Sequence, residues 1–132
     1  MASSARTWFY ETPENSPYLL QERVNSNLWM ARLWDLYFVA ERTEPPFRMS
    51  AVWHGRPLII EWQPGKWFRL IAEEDVPEVL SAFSNILQLH AALTYTDSEG
   101  RIVTEWHRDG GEARWREIQG NPIYQNPVRL SA

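Results

Sequence analysis

Residues 47–71 read FRMSAVWHGRPLIIEWQPGKWFRLI, and this stretch decides the fold. Phe47, Met49, Ala51 and Trp53 alternate with Arg48, Ser50 and Val52. A period of two places the first set together on one face of a strand. Leu58, Ile60 and Trp62 share a face in the same way. Between the two runs, His54-Gly55-Arg56-Pro57 turns the chain. Gln63-Pro64-Gly65-Lys66 then sets proline and glycine at two central positions, as a type II turn prefers. Trp67–Ile71 completes an antiparallel meander.

Working upstream, Glu44-Pro45-Pro46 ends the preceding element. Ser16-Pro17 is a helix start, with serine as N-cap and proline at the first helical position. Leu20, Val24, Leu28 and Ala31 follow at helical spacing. Asn25-Ser26-Asn27 is poor helix material and weakens the middle of that segment. From Trp34 there are two readings. Leu36-Tyr37-Phe38-Val39 is rich in strand formers and predicts a strand through Arg42; the alternative continues the helix to Ala40. Residues 1–15 read as a loosely held arm with one aromatic knot, Trp8-Phe9-Tyr10.

Downstream, Val76, Val79, Leu80, Phe83, Leu87 and His90 or Ala91 form one apolar stripe and predict a helix from Val76 to Ala92. Glu73, Glu74 and Asp75 stand at its N-terminus, where the helix dipole favours them, and His90 is placed to cap its last carbonyls. Leu93–Thr96, Arg101–His107 and Ala113–Ile118 read as three strands. Asp97-Ser98-Glu99-Gly100 and Arg108-Asp109-Gly110-Gly111 separate them as hairpin linkers. Residues 120–132, with Pro122 and Pro127, read as coil. The expected fold is α+β: antiparallel β-meanders packed with two α-helices, in the order α-β(3–4)-α-β(3). No linker or low-complexity segment divides the chain, so residues 1–132 are read as one domain.

Composition narrows the function. A chain of 132 residues can bury roughly two-thirds of its unfolded surface without a disulfide or metal. With no cysteine, thiol catalysis, iron–sulfur ligation and Cys-based zinc motifs are excluded. Absent cysteine fits a reducing compartment, and no apolar run is long and uncharged enough to cross a bilayer. The expected location is cytoplasmic, with no membrane partner. The net charge of −4 disfavours bulk binding to nucleic-acid phosphates.

No phosphate-binding, dinucleotide or nucleophile-elbow motif is present. His54, His90 and His107 lack metal-ligand spacing, and His107-Arg108-Asp109 matches a kinase catalytic loop in three letters alone. A carboxylate pair such as Glu61 and Glu105 can be matched only once the sheet register is known. The expectation is therefore no catalytic residue, no metal and no cofactor, with the balance against an enzyme.

Eight tryptophans and twelve arginines beside a single lysine give the composition of a binding surface. The residues expected on it are Trp53, Trp62, Trp67, Arg69, Trp106, Arg114 and Arg116. In a strand, Arg114 and Arg116 would face solvent together if Trp115 faced the core. The first functional reading is a non-catalytic protein-binding or regulatory module, chaperone- or inhibitor-like, with room for a homodimer. Its element order resembles that of small secretion chaperones, which implies a dimer holding a partner segment against its sheet; the proline-bearing end departs from their closing helix. The second reading is a single-stranded nucleic-acid binder, because a meander followed by a helix and more strands is similar to Whirly- and Pur-type proteins, whose sheets stack bases on aromatic faces. The third is a small-molecule or sugar-binding protein with Trp53, Trp62 and Trp67 lining a concave site.

Overall fold

The computed structural model describes residues 15–87, 91–119 and 128–129. Among these, helix α1 spans Pro17–Met30, and strands β1 to β4 span Val39–Arg42, Phe47–Trp53, Arg56–Gln63 and Trp67–Ala72. Helix α2 spans Pro77–Leu87, strands β5 and β6 span Ala91–Thr96 and Ile102–His107, helix α3 spans Glu112–Gln119, and a short strand β7 spans Val128–Arg129. The fold is α+β. The strands form an antiparallel sheet in the order β1-β2-β3-β4-β6-β5-β7.

The meander lies where the period-two pattern places it. Phe47 pairs with Trp62 and Trp62 with Phe68, so one face carries Phe47, Met49, Ala51, Leu58, Ile60, Trp62, Phe68 and Leu70 in continuous register. The first turn is tighter than the sequence suggests. His54 and Gly55 both have positive φ, 52° and 79°, the twist that matches a two-residue hairpin. Arg56 and Pro57 already belong to β3 and pair with Trp53 and Val52. At the second turn Gly65 has φ 73° and the Lys66 N–H donates to the Gln63 carbonyl.

After β4 the chain crosses through α2 to β5 and returns as β6 between β5 and β4. Helices α1 and α2 cover the first face. Leu20, Val24 and Leu28 of α1 and Val79, Ala82, Phe83 and Ile86 of α2 join the strand residues in one core. Phe83 meets Phe38 edge-on, with centroids 6.0 Å apart. Truncating any one of the large buried rings would cost about 3–5 kcal/mol.

Three expectations are corrected. Ala113–Ile118 is not a strand but lies within α3. Glu112, Ala113, Arg114 and Arg116 favour a helix, and Trp115 and Ile118, three residues apart, turn a single face inward. Gly110 and Gly111, with φ 89° and 67°, turn the chain into that helix rather than into a hairpin. A Cβ at Gly111 would lie 2.9 Å from the His107 ring, so the close approach requires glycine. The helix predicted to reach Ala92 ends at Leu87, and Ala91 begins β5. The C-terminal coil contains β7, whose Val128 and Arg129 pair with Ala92 and Ala91. The remaining expectations for residues 1–14, His90 and the other tail positions lie outside the described residues.

The segment after α1 also resolves. The helix does not run on to Ala40, and the strand begins at Val39 rather than Leu36. Arg32 adopts φ 65°, the Leu33 N–H donates to the Leu28 carbonyl and the Arg32 N–H to that of Trp29. This is a Schellman ending with arginine where glycine is usual. Asn25, poor as helix material, is a clamp. Its side-chain amide donates to the Phe38 carbonyl at 2.8 Å, and its side-chain oxygen accepts the Phe38 N–H at 2.7 Å. One turn earlier, Gln21 accepts the Ala40 N–H at 2.6 Å. Two side chains of α1 thus take up the Phe38 groups and the Ala40 N–H at the outer edge of the sheet, where a further strand would otherwise pair.

Replacing Asn25 by alanine strands both Phe38 backbone groups. We expect Asn25→Ala to lower unfolding free energy by about 2–3 kcal/mol, measured by urea denaturation, against under ~0.5 kcal/mol for the exposed Ser26→Ala. Equal effects would show that the clamp carries no stability.

Candidate functional site

The second face of the sheet is built around one carboxylate. In the observed register Glu61 of β3 pairs with Arg69 of β4, and Arg69 with Glu105 of β6. The three therefore form a row across neighbouring strands on one face. Tyr95 of β5 and His107 of β6 project to the same side, and α3 lays Arg114 over them.

The Glu105 side chain is fully buried. A carboxylate removed from water survives only when its lone pairs are taken up, and here four side chains donate to it. His107 Nε2 lies 2.8 Å from Oε1 and Arg69 Nε lies 3.1 Å from Oε2. Arg114 approaches with Nε 3.2 Å from Oε1 and Nη2 3.1 Å from Oε2. The Tyr95 hydroxyl donates to Oε2 and itself accepts from Arg114 Nη2 at 2.8 Å. Arg69 reaches Glu61 at 3.5 Å with its other arm and lies over the Trp67 ring, 4.3 Å from its centroid.

These contacts fix the protonation states. Burial alone would raise the Glu105 pKa, but hydrogen bonds from His107, Arg114 and Tyr95 and the nearby Arg69 charge outweigh it and hold it down at about 2. Burial, then the hydrogen bond to Glu105 and its charge, push Tyr95 up to about 12. Arg114 loses by desolvation, yet its bonds to Glu105 and the adjacent charge raise its pKa. Around neutral pH, Glu105 stays ionised while Tyr95 and Arg114 keep their protons. Glu105, Tyr95 and Arg114 are suited to fixing geometry rather than moving protons, since a general acid or base works best with a pKa near the operating pH.

The structure separates the residues expected on a binding surface. Trp62 and Trp106 are buried, at 0% and 1% exposure, because their strand positions face α1 and α2; neither can touch a partner. Among the described residues, the Trp106 indole N–H has no hydrogen-bond partner. Trp67, Arg69 and Arg114 do come together, through the row ending at Glu105. Arg116 is exposed and does not share a face with Arg114, because a helix and not a strand carries them. Trp53 is partly buried against the core, packs edge-on to His54, and borders a pocket of about 150 Å³ with Arg56, Val76 and Glu74. Trp62 and Trp67 do not line that pocket, so the three tryptophans form no common concave site.

The most exposed large apolar side chains lie elsewhere. Trp29, Met30, Trp34 and Tyr37 are 66%, 72%, 61% and 60% exposed, Val39 and Val52 are 49% and 65% exposed, and Tyr18 and Leu19 at the start of α1 are 61% and 53% exposed. The first four fall within residues 29–37, the end of α1 and the loop to β1. Helical spacing puts Trp29 one turn beyond Asn25 and two beyond Gln21, on the stripe that borders β1. Val39 pairs with Ser50, so Val39 and Val52 share the second face beside β1. The only sequence signal for this surface is the strand-like composition of residues 36–39, which carries no information on exposure.

No known protein family, no curated protein and no solved structure matches this chain. Among the described residues, no helix is long and apolar enough to cross a membrane.

Glu105 sets a pH dependence. Its folded pKa lies below its ordinary value of 4.5, so its stabilisation is complete above about pH 4.5 and is lost as pH falls towards 2. The shift corresponds to about 3 kcal/mol. Tyr95 works in the opposite direction: its contribution is full below pH 10 and fades as pH rises through 12. We expect Glu105→Gln to lower stability at pH 7 by about 3 kcal/mol and to flatten the acid limb of a urea-denaturation pH series. An unchanged acid limb would show that Glu105 is not the group responsible.

Proposed function

We propose that this chain is a non-catalytic protein-binding module. The observation that carries this reading is the exposed aromatic surface of Trp29, Met30, Trp34 and Tyr37. Tryptophan, tyrosine, methionine and arginine are the residues enriched where proteins meet, and here Arg32 lies between the two tryptophans. The shifts of Glu105 and Tyr95 away from neutrality suit these two groups poorly to general acid–base work, which supports the non-catalytic part. The binding surface lies on the rim of the sheet, at α1 and β1; Trp67 and Arg69 lie three strands away on β4 and are not part of it.

A single-stranded nucleic acid is the competing ligand, since Trp29 and Trp34 flank an arginine as a stacking platform would. Trp67 is less suited to stacking, because Arg69 already lies on its ring.

The test pairs capture with quenching. Tagged wild-type chain and the Trp29→Ala/Trp34→Ala variant are incubated with lysate, and iodide quenching is followed while short single-stranded DNA is titrated at low and high salt. We expect a protein retained by the wild type and reduced at least about tenfold by the variant, with an unchanged melting temperature. DNA should leave the quenching unaltered. Salt-sensitive protection of the tryptophans by DNA, with no variant-sensitive protein, would replace this reading with the nucleic-acid one.

A further inference from the structure

We infer that the partner of the aromatic rim is a second copy of this chain, in a two-fold dimer. This inference rests on the protein-binding reading and specifies its occupant. Exposed area supports this. Trp29, Met30, Trp34 and Tyr37, all within residues 29–37, present on the order of 500 Å² of side-chain surface. A stable complex buries roughly 800 Å² on each partner, so these four side chains would supply the larger part of the area that an isologous dimer needs. Exposed apolar clusters of this size mark interaction sites.

Charge supports the same occupant. An isologous contact places each residue against the same patch on its mate, so the patch must be complementary to itself. Arg32 and Asp35 are both exposed and lie between Trp29 and Tyr37 in the sequence. Neither side chain makes an ion pair or hydrogen bond among the described residues. In the proposed dimer, a two-fold axis through the rim sets Arg32 of each copy towards Asp35 of the other, giving two equivalent pairs. A cation and an anion three residues apart give the surface the self-complementary charge that an isologous contact needs.

Sheet extension is disfavoured as a route at residues 38–40. Asn25 takes up both backbone groups of Phe38 and Gln21 accepts the Ala40 N–H, so a strand added there would displace these bonds. The dimer contact is made by side chains of the rim.

Sedimentation equilibrium on the full chain tests this. The wild type should be dimeric at tens of micromolar. Arg32→Glu and Asp35→Arg each place two like-charged pairs across the axis and should each weaken the dimer by about tenfold or more. Mixing the two variants restores both pairs. The glutamate introduced in one copy meets the arginine introduced in the other, and the unaltered Asp35 of the first meets the unaltered Arg32 of the second. A heterodimer should therefore form where each variant alone is monomeric. Both substitutions are exposed and should leave the melting temperature of the monomer unchanged. Trp34→Ser should weaken association without rescue by mixing. A monomeric wild type, or a dimer indifferent to both charge reversals, overturns the inference. In that event the capture experiment with Trp29→Ala/Trp34→Ala still decides whether the rim binds another protein.

Discussion

A carboxylate taken wholly out of water is the constraint on which the second face of this molecule depends. Glu105 cannot stay ionised and buried unless donors converge on it. The donors come from three strands and one helix: Arg69 from β4, Tyr95 from β5, His107 from β6 and Arg114 from α3. Apolar contact by Trp115 and Ile118 holds α3 against Ile71, Leu93, Tyr95 and Val103, but such contact is tolerant of sliding. Helix α3 has eight residues, too few to be stable in isolation. The Arg114 fork, meeting both oxygens of one carboxylate, is what fixes its register. The cluster therefore contributes orientation more than raw stability, which a set of well-packed apolar side chains could supply as well.

Placing α3 over β4, β6 and β5 makes the two faces unequal. The first face is covered by α1 and α2 along the meander. The second is covered at one side only, and among the described residues the half made by β1, β2 and β3 has no helix over it. Arg48 with Glu41, and Glu61 with Arg69, give that open half a polar character, while Val39 and Val52 give it an apolar margin. That margin continues into the loop after α1. Much of the exposed apolar surface thus lies at one rim of the sheet, beside an edge where Asn25 and Gln21 take up the Phe38 groups and the Ala40 N–H.

What was legible in the sequence follows from which signals are local. The meander could be read from residues 47–71 because strand alternation and turn chemistry are properties of neighbours. Ser16-Pro17 marked the start of α1 for the same reason, and Ser16 does cap it, accepting from the Leu19 N–H at 3.4 Å. Ala113–Ile118 misled because six residues centred on one tryptophan fit either period, and the glycine pair before them serves a hairpin and a helix entrance equally. The expected binding tryptophans divided because which face a strand turns to the helices is settled by the whole sheet; Trp62 and Trp106 filled the core. Glu105 was visible only as half of a possible carboxylate pair with Glu61, and the register sets Arg69 between them. Its importance comes from register, which sets Arg69 opposite it, and from a helix that the sequence read as a strand.

The two ends of the molecule divide rigidity and contact between them. At the Glu105 end the polar groups engage one another. At the rim the rings are exposed, but they are not loose. The Schellman bonds at Leu28 and Trp29 fix the chain direction after α1, and the Asn25 clamp fixes Phe38 at the other end of the loop, so Trp34 and Tyr37 are held between two anchored points. A surface ordered before it meets a partner loses less entropy on binding than one that must be ordered by it. Arg32 takes a left-handed backbone that costs about 1 kcal/mol in a residue with a Cβ. Glycine would relieve that cost and satisfy the turn, but it would remove the guanidinium set between Trp29 and Trp34. A strained backbone that retains a charged side chain at the centre of an exposed aromatic surface points to a use for that side chain outside the fold, and on the proposed reading that use is contact across the rim.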